Sequence, residues 1–143
     1  MKLKIALLMA TTVFILGFIA CTGQISTMNA SVDVSIDDYT NVNIITKEIE
    51  LASGGQLTVT LGSNKTTGFQ WSEQAQIADP SILEQVSHQN LSPQSSVEGA
   101  PGKEEWTFKA LKSGITTVSM DYSRPWEGGE KGVWKFNLTV NVR

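Results

Sequence analysis

From Val133 to Val142 the chain alternates strictly, with Trp134, Phe136, Leu138, Val140 and Val142 on one side and Lys135, Asn137, Thr139 and Asn141 on the other. Successive side chains of an extended strand point to opposite faces, so this run fits a strand with one face in a core and the other in water. A helix would scatter the same residues around its circumference. The period of two recurs at Leu57, Val59 and Leu61 after the Gly54-Gly55 turn, at Trp106 and Phe108, and at Val118, Met120 and Tyr122 after Gly114. Weaker strands are expected near Ile44 to Leu51, Phe69 to Gln76 and Ile82 to Gln89. No stretch carries a convincing helical period, and Asp79-Pro80-Ser81 opens one short helical turn at most.

About seven short strands separated by turn signals predict an all-β fold, an immunoglobulin-like sandwich of two antiparallel sheets. The folded domain is expected to span residues 43–143, enough for a single core.

What precedes it is of a different character. Lys2 and Lys4 give a positive start, and Ile5 to Ala20 is almost uninterruptedly apolar. That stretch is short for a membrane span, which needs about 20 residues, and reads as a signal peptide over 1–20. It ends at Phe18-Ile19-Ala20-Cys21, and Cys21 is the single cysteine of the chain. A sole cysteine makes no internal disulfide. Its place after a small residue at the end of an apolar run resembles the bacterial lipoprotein box, which implies acylation of Cys21; the alternative is an uncleaved signal anchor with an inert cysteine. The expected location is therefore the cell envelope, with the membrane reached through an N-terminal lipid. Residues 21–42 are read as the lipidated cysteine and a polar tether, rich in Ser, Thr and Asn and carrying Asp33, Asp37 and Asp38. Such a composition buries too little apolar surface to offset ordering entropy.

Charge and residue inventory exclude several functions. Removing Lys2 and Lys4 from the eleven basic side chains leaves nine against fourteen acidic ones, a balance of -5, with no basic cluster. Nucleic acid is not an expected partner. The one histidine, His88, lies on a weak polar strand and is read as a surface side chain, with no nucleophile-elbow sequence beside it. No grouping of His, Cys and carboxylates suggests a metal site, so neither catalysis nor a cofactor is expected. A monomer is expected.

Three turn sequences remain. Asn64-Lys65-Thr66-Thr67-Gly68-Phe69-Gln70-Trp71 falls between the second and third expected strands, Glu98-Gly99-Ala100-Pro101-Gly102 between the fourth and fifth, and Ser123-Arg124-Pro125-Trp126-Glu127-Gly128 between the sixth and seventh. In an immunoglobulin-like sandwich these three connections emerge at one end, as antibody variable loops do. Each has a plain structural reading as well. Gly68 supplies positive φ to a turn that Asn64 caps, and Gly99 to Gly102 is generic loop composition. Trp71, on a strand, is assigned to the core. Trp126 lies outside the strand alternation and is either a binding anchor or a lid folded onto the core.

In this order, the Asn-x-Thr-Thr-Gly-aromatic, glycine-rich and Arg-Pro-Trp turns resemble those of the chagasin-like family of cysteine-peptidase inhibitors, over residues 43–143. The resemblance implies a reversible, non-covalent inhibitor of papain-like cysteine peptidases. Thr66 and Thr67 would approach the catalytic thiolate and histidine, Gly68 would allow the tight turn, and Phe69 would hold its base, with Asn64 and Lys65 on the same loop. Gly99, Ala100, Pro101 and Gly102 would lie on one rim of the cleft. Trp126 would stack on the other, directed by Arg124 and Pro125. Three positions depart from the family pattern: Lys65 stands where proline is common, Phe69 where tyrosine is frequent, and Pro101 where glycine is usual. The change at Lys65 should loosen the turn, and Pro101 removes a backbone donor. The competing reading is a surface lipoprotein that binds carbohydrate or protein through Trp126 and inhibits nothing.

Overall fold

The computed structural model describes residues 27–143. The expected signal segment 1–20 and Cys21 lie outside the described residues. The strands are β1 (Asn29–Val34), β2 (Ile44–Leu51), β3 (Gln56–Ser63), β4 (Gln70–Trp71), β5 (Gln76–Ile77), β6 (Leu83–Leu91), β7 (Gly102–Ala110), β8 (Gly114–Ser123) and β9 (Trp134–Val142). One sheet has the order β1-β3-β7-β6 and the other β2-β9-β8-β4, with β5 also paired to β8. Short 3-10 turns at Ile36–Tyr39 and Lys65–Thr67 complete the regular structure of the described residues.

The two-sheet sandwich is the expected fold, with nine strands instead of about seven. Two differences account for the count. The third expected strand is divided into β4 and β5, both on β8, by a non-strand segment between Trp71 and Gln76. The other extra strand, β1, lies within the expected tether, so the tether reading is corrected over 29–39. The sheets are also mixed and not purely antiparallel: β1 runs parallel to β3 and β2 parallel to β9. The N-terminal segment lines the open edge of one sheet, crosses at the Ile36–Tyr39 turn, and lines an edge of the other.

Alternation explains the core. Leu57, Val59 and Leu61 of β3, Trp106 and Phe108 of β7, Val118, Met120 and Tyr122 of β8, and Phe136, Leu138, Val140 and Val142 of β9 are buried between the sheets. Val32, Val34 and Tyr39, from the segment read as tether, join them. Tyr39 stacks on Trp134 at 4.9 Å, and burial, with Asp38 nearby, pushes its hydroxyl far above the ordinary tyrosine value. Trp71 is fully buried and donates its indole N–H to the Gly62 carbonyl at 2.9 Å.

His88 is not the surface side chain expected. A bulge between Gln85 and Ser87 shifts the phase of β6, so His88 pairs opposite the inward-facing Trp106 and its ring lies 4.8 Å from that indole. Its Nε2 is 3.0 Å from Glu104 Oε2, with only 12% of the side chain exposed. Among the described residues, no helix is long and apolar enough to cross a membrane.

Candidate functional site: one edge built from three loops

The ladders bring the three turns to the same end. Ser63 pairs with Gly102, Leu91 with Lys103, Gln70 with Ser123, and Tyr122 with Trp134, so the connections β3–β4, β6–β7 and β8–β9 leave the sandwich together. The chain enters at the opposite end, where Ala52 N–H donates to the Thr27 carbonyl and Ser53 N–H to that of Arg143.

The β3–β4 turn is held by its own polar groups. Asn64 Oδ1 accepts from Thr66 N–H at 3.2 Å and from Thr66 Oγ1 at 2.6 Å. Thr67 Oγ1 donates to the Asn64 carbonyl at 2.6 Å, and Gly68 N–H donates to that of Lys65 at 3.0 Å. The loosening expected from Lys65 in place of proline is therefore opposed by a closed set of local hydrogen bonds. Lys65, Thr66 and Thr67 remain exposed. Gly68 ends the turn at φ +82°, in the left-handed region.

Both neighbouring loops grip this turn. Asn64 Nδ2 donates to the Gly99 carbonyl at 3.2 Å. From the other side, Arg124 donates through Nε and Nη2 to the Thr67 carbonyl, each at 3.4 Å. The same guanidinium lies 4.4 Å above the Phe69 ring, which stacks on Tyr122 at 5.5 Å. Phe69 thus joins the turn to an aromatic column that continues through Tyr122 and Trp134 to Tyr39. The Arg124–Glu130 ion pair at 3.2 Å is solvent-exposed and adds little stability.

Trp126 does not fold onto the core. A Cβ added at Gly68 would lie 2.5 Å from Trp126 Cη2, so the indole rests directly on the glycine, with 52% of the residue exposed. Lys131 Nζ fixes the loop beneath it by donating to the carbonyls of Arg124 at 2.5 Å and Trp126 at 2.9 Å. Pro125 is exposed beside it. In the β6–β7 connection, Ala100 N–H donates to the Val97 carbonyl, Gly99 has φ +79°, and Pro101 is exposed. Gly102 already belongs to β7, so it forms the base of its loop and not the tip.

The structure therefore brings together Asn64 to Phe69, Gly99 and Arg124 to Trp126, with Ala100 and Pro101 adjoining. Two residues missed from the sequence complete the edge. Lys131 braces the tryptophan loop, and Val97 is a 70% exposed aliphatic side chain on the middle loop. A solvated apolar residue inside a polar loop was the available signal for Val97.

A sandwich that gathers three loops around an exposed, internally bonded turn defines a loop-presenting binding domain. This chain belongs to the chagasin family of peptidase inhibitors: the pattern of the Chagasin family peptidase inhibitor I42 matches residues 50–140. That is an inhibitor family and not an enzyme family. The chain is 26% identical over 110 residues to Amoebiasin-2 of Entamoeba histolytica, covering 73% of this chain and 89% of the relative. It is 29% identical over 96 residues to Chagasin of Trypanosoma cruzi, covering 66% and 87%. Its fold is similar to the crystal structure of the cysteine protease inhibitor EhICP2 from Entamoeba histolytica, with a TM-score of 0.62 at 22% identity over 80% of this chain and 97% of that one.

Proposed function

We propose that this chain inhibits papain-like cysteine peptidases reversibly and without covalent chemistry, with the β3–β4 turn in the active-site cleft and the other loops on its rims. The observation that carries this reading is the continuity of the edge. Gly99, Asn64, Thr67, Gly68, Arg124 and Trp126 are linked by direct contacts around the exposed Thr66 and Thr67. Thr66 and Thr67 reach the catalytic Cys–His pair of the target, while Gly99 to Gly102 and Trp126, directed by Arg124 and Pro125, meet the two walls.

The turn blocks without reacting for two reasons. Both threonine hydroxyls donate to Asn64 within the turn, which pins the backbone in its closed form. The 3-10 backbone of Lys65–Thr67 does not offer the extended peptide that a peptidase cleft cleaves. Stiff β-branched side chains on a bonded turn also lose little freedom on docking, which favours affinity. Residues 27–143 should therefore inhibit papain-like enzymes, spare serine peptidases and be recovered uncleaved. Failure to inhibit any of a broad cysteine-peptidase panel at micromolar concentration would transfer the edge to a carbohydrate- or protein-binding role.

The proposed site of action is the cell envelope, through acylation of Cys21. The positive start, the apolar Ile5 to Ala20 run and the small residue before Cys21 support it. A single acyl chain binds membranes only marginally, so stable anchoring needs more than one. Mass spectrometry of the membrane fraction should find a chain beginning at lipidated Cys21, and Cys21→Ser should release it. A soluble, unmodified mature protein from wild-type cells would contradict this.

A further inference from the structure

The β3–β4 turn starts in one sheet and lands in the other. Ser63 ends β3, whereas Gln70 and Trp71 pair only with β8 in the facing sheet. No backbone ladder joins the two legs of the turn, so beyond the turn's own hydrogen bonds their separation is set by side chains, one of them the Trp71 indole on the Gly62 carbonyl. Directly beneath lies Glu104, which is 1% exposed and belongs to β7, two residues beyond the middle loop. Its Oε1 accepts from Ser63 Oγ at 2.7 Å and from the Trp71 backbone N–H at 3.1 Å. Its Oε2 faces His88 Nε2 at 3.0 Å. One carboxylate oxygen thus receives a donor from each leg, and the other is held by the chain's single histidine.

Burying a carboxylate is costly, and an apolar side chain of similar size would pack between these sheets without that cost. What an apolar residue cannot supply is an acceptor shared by both sheets at the root of the turn. We propose that Glu104 is a positioning residue for the inhibitory turn. Its Oε1 fixes the spacing of Ser63 and Trp71, His88 fixes the carboxylate, and the position of Glu104 on β7 ties the middle loop to the same point. This rests on the inhibitor reading above.

Three variants of residues 27–143 test it: Glu104→Leu, Glu104→Gln and the milder Ser63→Ala. Amide exchange across 64–70 is measured without peptidase, and inhibition is measured at a temperature where each variant is folded. Glu104→Leu and Ser63→Ala should speed exchange in the turn and weaken inhibition by about tenfold or more, the loss that goes with a hydrogen bond to a charged acceptor. The core amides of β8 and β9 should stay protected. Glu104→Gln keeps an oxygen that can accept from both legs, so it should stay within about threefold of wild type on both readouts. Unchanged exchange and inhibition in folded Glu104→Leu and Ser63→Ala would overturn the proposal. So would a Glu104→Gln variant as damaged as the leucine one, since an isosteric amide oxygen that cannot replace the carboxylate means that charge, and not a shared acceptor, is what the turn requires. If Glu104→Leu does not fold, Ser63→Ala decides. If wild type inhibits no papain-like enzyme, the inhibitor reading fails, while the exchange measurement still decides whether Glu104 orders the turn.

Discussion

Trp71 and Trp126 are the same residue type put to opposite uses. Trp71 is fully buried between the sheets, whereas Trp126 rests on Gly68 with half its surface open. Affinity in a contact of roughly 800 Å² per partner concentrates in a few aromatic or arginine anchors. Trp126→Ala should therefore weaken inhibition by about 2 kcal/mol, near thirtyfold, with little change in melting temperature. Trp71→Ala should cost about 3–5 kcal/mol of stability as a large core truncation. Titration and thermal unfolding of the two variants separate these outcomes. A third aromatic makes stability depend on pH. Burial, then Asp38, raises the Tyr39 hydroxyl above its unfolded value near 10, so the folded chain holds a proton that the unfolded chain releases. Its contribution is complete below about pH 10 and is lost as pH rises beyond that. Alkaline unfolding should accordingly be steeper in wild type than in Tyr39→Phe, and identical pH profiles would contradict the assignment.

The N-terminal strand decides where the domain begins. Val32 and Val34 of β1 are buried along β3, and Tyr39 packs against Trp71 and Trp134. Chains beginning at residue 43 should therefore melt well below chains beginning at 27, because three buried side chains at about 1.5–3 kcal/mol each are lost. Equal melting temperatures would make the strand an ornament of the sheet edge. This strand also shows what the sequence disclosed and what it concealed. Long runs such as Trp134 to Val142 declare their inward face through period two alone, so the sandwich and its main strands were legible. Ala30, Val32 and Val34 follow the same period, but over too few residues to stand out from a polar, acidic neighbourhood. The phase of β6 was hidden because a bulge is a backbone event that returns His88 to the core side without any change in composition. Glu104 was legible in principle: it occupies the inward register of Trp106, Phe108 and Ala110. The three turns were legible as motifs. Their contacts, such as Trp126 on Gly68 and Arg124 on the Thr67 carbonyl, depend on loop geometry that no local pattern encodes.

Across the whole molecule, Thr27 and Arg143 lie at one pole and the three-loop edge at the other. A tether leaving from Thr27 would hold the edge directed away from its anchor, where a peptidase can reach it. The central claim is that the exposed centre of this edge, Thr66 and Thr67, enters the cleft of a papain-like peptidase. The most direct measurement is a titration of such an enzyme with residues 27–143, comparing wild type with the double variant Thr66→Glu, Thr67→Glu. The account predicts inhibition by wild type and a loss of more than about a hundredfold in the double variant, beyond about 2.7 kcal/mol, with the melting temperature nearly unchanged. A folded double variant that inhibits as well as wild type would contradict it.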